Sequence, residues 1–136
     1  MSHSAQSDVT PVFISDENAA DPDRLVTAAR PNTSATMAAT TFLGGGARNV
    51  TVTTAGTGDN NKTCTITGTD VFGNAITEVI TSTGSAEAVA GATLFLTVSA
   101  VECSAQYAAN ITVGSGSLCA QALQGVNRVR LKGFSI

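Results

Sequence analysis

Residues 62–81, KTCTITGTDVFGNAITEVIT, constrain the fold more tightly than any other part of the chain. The first half alternates, with Cys64 and Ile66 on one face and Thr63, Thr65 and Thr67 on the other, the period of a strand with one buried face. Its threonines and isoleucine branch at Cβ, which suits a pleated surface better than a helix. The centre concentrates residues that reverse a chain. Asp70 has a carboxylate that can accept N–H groups a few residues on, and Gly73 and Asn74 supply left-handed backbone. Residues 75–81 then return as a second strand. A hairpin with a short bulged loop is expected, its tip formed by Asp70, Phe72, Gly73 and Asn74. Phe72 is expected to fold back onto its own hairpin.

The same two-residue period recurs at 49–54, where Val50 and Val52 alternate with Thr51 and Thr53. Residues 37–43 (MAATTFL) form a β-type run into Gly44, Gly45 and Gly46, and 55–61 (AGTGDNN) form a turn. Residues 82–92 (STGSAEAVAGA) read as a linker, and 93–101 (TLFLTVSAV) as one strong strand. A shorter strand at 110–113 (NITV) precedes the GSGS of 114–117, and 118–123 could form one helical turn. In 125–133 (GVNRVRLKG), Val129 and Leu131 alternate with Arg128, Arg130 and Lys132. Six or seven short strands and no 3.6-residue stripe predict an all-β fold, a small antiparallel β-sandwich or open barrel, over residues 36–136.

Residues 1–35 differ in kind. They hold all three prolines, Pro11, Pro22 and Pro31, and an acidic run at 16–23. Few apolar groups are present to offset the entropy of ordering, so an extended or partly disordered arm is expected. Val12, Phe13 and Ile14 are the exception, able to anchor the arm on another surface or to add a strand to a sheet.

Charge and chemistry exclude several function classes. Seven Lys and Arg against ten Asp and Glu give a net charge of -3, the wrong sign for a general nucleic-acid binder. Trp is absent and there is one Tyr, so stacking platforms for single strands are missing. The mildly apolar stretch 86–101 is interrupted by Glu87, Gly91, Thr93, Thr97 and Ser99, too polar for a spanning helix, and residues 1–10 lack the basic and apolar regions of a secretion signal. No membrane partner and a soluble protein are expected.

The catalytic inventory is thin. His3 is the single histidine and lies in the polar terminus, which removes imidazole-based nucleophile activation and the usual zinc sites. Cys64, Cys103 and Cys119 are odd in number with no C-x-x-C spacing, and are read as small buried hydrophobes rather than a disulfide or a reactive thiol. Asp70 and Glu78 could pair as carboxylates, but Asp70 is accounted for by its turn. The triple glycine lacks the G-K-[ST] of a phosphate loop, and Asp16, Asp21 and Asp23 lack the spacing of a calcium loop. Asn32, Asn49, Asn61 and Asn110 head sequons that a Thr-rich chain produces by chance. No enzymatic activity and no cofactor are expected. A receptor or glycan site would have Phe72 and Tyr107 as its aromatic candidates.

Arg128, Arg130 and Lys132 would project from one face of a strand in an otherwise acidic chain. Such charges discourage uncontrolled edge pairing. They also suit an acidic partner, such as the arm of another subunit with its Asp16, Glu17, Asp21 and Asp23. Val12, Phe13 and Ile14 complete this set of candidate contact residues.

Residues 48–81 resemble a group of tailed-bacteriophage virion proteins. These carry R-x-V-T-[IV]-T-x-A-G followed by T-[IV]-T-G-T-D-x-x-G-N-x-x-T-E-x-[IV]-T, and both patterns are present from Arg48 to Gly56 and from Thr65 to Thr81. The stretch 95–101 is similar to the group's F-x-T-V-T-x-[IV], residues 111–114 to its V-x-V-G, and ADPDRLVTAARP at 20–31 to its leader, so the likeness spans about residues 19–116. T-D-x-x-G-N also resembles bacterial immunoglobulin-like domains of invasin-type adhesins, which are usually tandem and exported. The phage resemblance implies a non-enzymatic virion component assembled in the bacterial cytoplasm, most simply a capsid decoration or cement protein. Its partners would be the major capsid protein and copies of itself, with a trimer favoured. A tail, head-tail connector or fibre component is the alternative, and a receptor- or glycan-binding β module a second one.

Overall fold

Seven strands form two antiparallel sheets in a computed structural model that describes residues 19–84 and 86–120. The strands are β1 (Val26–Ala29), β2 (Ala47–Thr54), β3 (Thr63–Thr69), β4 (Ala75–Thr81), β5 (Ala88–Phe95), β6 (Thr97–Cys103) and β7 (Ile111–Ala120). One sheet has the order β1-β7-β2-β5 and the other β4-β3-β6, with edge strands in each, so the fold is an all-β sandwich rather than a closed barrel. The apolar anchor Val12, Phe13, Ile14, the acidic Asp16 and Glu17, and the basic Arg128, Arg130 and Lys132 lie outside the described residues.

The β3-β4 hairpin forms as the alternation requires, in unbroken register from Thr63↔Thr81 to Thr69↔Ala75. Cys64 and Ile66 are buried, and Gly68 continues the inward face. Between the sheets lie Leu25, Val26, Val50, Val52, Ile111 and Val113 with Cys64, Ile66, Ile80, Val98, Val101 and Cys103, and Phe42, Phe95 and Tyr107 add the largest rings.

Three segments depart from the sequence reading. Residues 93–101 are not one strand: β5 and β6 belong to different sheets and meet at Leu96, whose N–H donates to the Thr69 carbonyl at 2.7 Å. Phe95 and Val98 are both fully buried, and an odd separation of three cannot keep both on one face of a single strand, so the chain bends and changes sheet. Part of the expected linker is strand, since β5 starts at Ala88 and pairs with β2 through Ala88, Val89 and Ala90. The GSGS of 114–117 is not a terminus either, because β7 runs through it to Ala120 and so excludes a helical turn starting at Leu118.

The glycines of β7 mark close approaches. A side chain at Gly114 would overlap the Asp21 carbonyl and Pro22, and one at Gly116 would overlap the Asn49 amide. Asp21 lies over β7, its carbonyl accepting from Ser115 N–H at 2.8 Å while its own N–H donates to Ser115 Oγ at 2.8 Å. Leu25 N–H donates to Val113 at 2.8 Å, and Leu25 and Val26 are fully buried. Among the described residues of the proline-containing stretch, Leu25 and Val26 are therefore built into the core.

The β-type run expected at 37–43 does not form a strand; instead residues 33–41 follow the outer edge of β6 through scattered bonds. Ala35 N–H donates to Val101, Val98 N–H to Thr40 and Cys103 N–H to Thr33, with isolated bridges at Ser34↔Glu102 and Thr41↔Thr97. Because this run follows β1, the chain itself crosses from one sheet to the other on that side. Glu78 of β4 joins the sheets on the opposite side, its carboxylate accepting from the N–H groups of Ala92 at 2.8 Å and Thr93 at 3.2 Å on β5.

Candidate functional site

The hairpin tip is held by one carboxylate. Asp70 Oδ1 accepts from Phe72 N–H at 2.8 Å and Asn74 N–H at 2.9 Å, and Asn74 Nδ2 donates to Oδ2 at 3.2 Å. Gly73 N–H donates to the Asp70 carbonyl, closing a β-turn, and Gly73 follows with φ of +84°. This is the bulged loop the sequence predicts, with the difference that Gly73 alone takes the left-handed conformation and Asn74 contributes its side chain. The Asn74 N–H, joined by those of Phe72 and Gly73 and the Asn74 amide, holds the Asp70 carboxyl below its ordinary range.

Phe72 does not fold back onto the hairpin. It is 80% exposed, because the turn directs its N–H inward to Asp70 and leaves the side chain pointing away from the strands. The tip is thus an aromatic ring carried on an immobilised loop, suited to apolar contact rather than to chemistry. Other exposed large hydrophobics are Val79 at 58%, Leu118 at 53% and Leu43 at 43%.

The remaining acidic candidates serve backbone. Glu78 is committed to the N–H groups of β5, and a side chain at Gly91 would overlap that carboxylate. Asp70 holds its own turn and Glu78 the backbone of β5. Asp21 is fixed through its backbone on β7, and Asp23 is exposed. Among the described residues no group of three or more His, Cys, Asp and Glu could hold a metal ion, and no helix is long and apolar enough to cross a membrane.

A second cluster lies at the opposite end of β3, and its polar half was not legible in the sequence. Asp59 is fully buried, and its Oδ1 accepts from Lys62 Nζ at 2.8 Å and Ala108 N–H at 2.6 Å. Burial pushes the Asp59 carboxyl up, but Lys62 with the N–H groups of Ala108 and Ala109 outweighs it and holds the group below its usual range. Lys62 Nζ also donates to the Gln106 carbonyl at 2.5 Å and sits 5.4 Å from the centre of the Tyr107 ring. The loops 56–62 and 104–109 are thereby tied together. AGTGDNNK reads as an ordinary polar turn because only folding brings residues 104–109 beside it.

Tyr107 belongs to this cluster and is 0% exposed, so it is not a surface aromatic able to line a receptor or glycan site. Its hydroxyl meets Cys64 Sγ at 3.2 Å, and Cys64 Sγ lies 3.7 Å from Cys103 Sγ. Cys64 and Cys103 are buried free thiols, whereas Cys119 is exposed, unlike the buried hydrophobe expected of all three. Asn49, read as a chance sequon, is 2% exposed: its Nδ2 donates to the Gly91 carbonyl at 2.9 Å and its Oδ1 accepts from Leu118 N–H at 3.0 Å. It bridges β5 and β7 where both ladders of β2 shift register.

Compared with known protein families, with curated proteins and with solved structures, the chain finds no match.

Proposed function

We propose that the chain is a structural component of a tailed-bacteriophage virion. It acts as a capsid decoration or cement protein that binds the major capsid protein and copies of itself, as a trimer, and stabilises the shell through added contacts. The observation that carries this reading is the hairpin of residues 63–81, the segment with the most specific resemblance, which ends in a pinned tip with Phe72 80% exposed. An aromatic ring on a rigid loop contributes large contact area at small entropic cost. Repetition of one modest contact around a symmetric shell multiplies its effect.

The copy number per purified particle, measured by quantitative mass spectrometry against the major capsid protein, tests the reading. On the order of hundreds of copies, retained on tail-less heads, is the expected result. A few dozen copies or fewer, lost with the tail, would assign the chain to the tail, connector or fibre, and absence from the particle would end the virion reading.

The exposure of Phe72 also favours a second reading, a receptor- or glycan-binding module, since such a site requires an accessible ring. Phe72→Ala is expected to weaken binding to the partner about 10-fold or more. Its melting temperature should stay within about 2 °C of the parent, because little buried surface is removed. If shell binding is unaffected while binding on a glycan array is lost, the second reading replaces the first.

A further inference from the structure

The cross-strand thiols merit a role that neither strand pairing nor packing gives them. Cys64 on β3 and Cys103 on β6 are Cα partners in the antiparallel ladder. Ser104 N–H donates to the Thr63 carbonyl, so Thr63 and Ser104 form a hydrogen-bonded pair, and the adjacent Cys64 and Cys103 form a non-hydrogen-bonded one. The Cys103 N–H points the other way, to Thr33, as that assignment requires. Directly opposed residues of this kind have Cα atoms about 4.5 Å apart, inside the roughly 4.4–6.8 Å window of disulfides. The sulfurs already lie 3.7 Å apart on the buried face of that sheet.

We propose that Cys64 and Cys103 are a covalent modification site: in contact with a small-molecule disulfide they form an intramolecular disulfide that locks β3 to β6. This inference rests on the thiol geometry and not on the virion reading. Cys64 is the attacking group. Hydrogen bonds from Cys103, and from Tyr107 beyond it, favour its thiolate against burial and bring its pKa below that of an ordinary thiol. The same contact and burial push the Cys103 thiol up. The Cys64 thiolate attacks one sulfur of the small disulfide, forming a mixed disulfide and releasing one thiolate. Cys103 then loses its proton and displaces the second thiolate from the Cys64 sulfur. Two protein thiols are oxidised by two electrons, one small disulfide is reduced to two thiols, and these take up the two protons. Cys64 is 0% and Cys103 9% exposed, so the reaction proceeds through local opening and is slow beside that of an exposed thiol.

The test uses the full chain with Cys119→Ser, which removes the exposed thiol that would otherwise hold an adduct. It is incubated under native conditions with oxidised glutathione, then quenched and denatured for thiol counting, intact mass and peptide mapping. The expected product has no free thiol, a mass lower by about 2 Da, and a Cys64–Cys103 linked peptide. Its melting temperature should rise by about 5–15 °C, the gain from closing a loop of this length in the unfolded chain. Two free thiols persisting after an incubation about 100-fold longer than an exposed-thiol control needs for full conversion would overturn the proposal. So would stable glutathione adducts on Cys64 or Cys103, or a linked product that melts lower than the reduced protein. No variant at the pair itself is needed, so a folding defect at Cys64 or Cys103 cannot obscure the result.

Discussion

Truncation of Tyr107 to alanine is expected to lower the free energy of unfolding by about 3–5 kcal/mol, the range for removing a buried aromatic side chain. Tyr107 is fully buried although it comes from a loop, and it touches groups on both flanks. Its ring lies under the Lys62 ammonium and its hydroxyl against Cys64. Its N–H donates to Pro31, and its carbonyl accepts from Arg30 Nε at 3.2 Å. The alanine variant leaves a cavity at the junction of loops 56–62 and 104–109. Tyr107→Phe keeps the ring and loses only the hydroxyl contact, so it should cost about 1 kcal/mol. Urea unfolding of the two variants measures both values. A Tyr107→Ala loss no larger than that of Tyr107→Phe would mean that the ring does not fill the core as described.

Gly114→Val should have a comparably large effect, because it strikes backbone rather than a side chain that can move aside. Its Cβ would overlap the Asp21 carbonyl and Pro22, where the leader lies on β7. Relief requires residues 19–26 to leave the sheet, breaking the bonds of Asp21 with Ser115 and of Leu25 with Val113. Leu25 and Val26 would then face water, at about 1.5–3 kcal/mol each, so a loss of about 3–6 kcal/mol is expected. Trypsin reports the geometry directly, since the bond after Arg24 precedes buried Leu25: the parent should resist cleavage there and Gly114→Val should be cut rapidly. Equal cleavage of both would show that the leader is not held by β7. Ser115→Ala, which removes one hydroxyl, should cost about 1 kcal/mol and leave the protection largely intact.

These two positions also show where the sequence is legible and where it is not. The β3-β4 hairpin could be read because everything that specifies it is local. Alternation assigns Cys64 and Ile66 to one face, and Asp70 with Gly73 closes the turn within five residues. Phe72 at the same tip could not be placed, since whether its ring packs or stays in water depends on the surface the folded strands offer it, and it is 80% exposed. At Gly114 and Gly116 the local signal misleads. A glycine that frees a linker and one that admits a neighbouring chain look alike in sequence, and here the neighbours are Asp21 and Asn49, far away along the chain. Tyr107 and Asp59 fail for the same reason, as their partners lie in separate loops.

By itself the sequence determined the β class, the faces of β3 and the form of its turn, because side-chain period and turn chemistry act over a few residues. Tertiary structure decided the rest. The division of residues 88–103 between two sheets, the incorporation of Leu25 and Val26 into the core and the meeting of Cys64 with Cys103 and Tyr107 each depend on pairing between distant segments. Those pairings are set by which buried surfaces fit together once the chain has closed, and no local pattern encodes that fit.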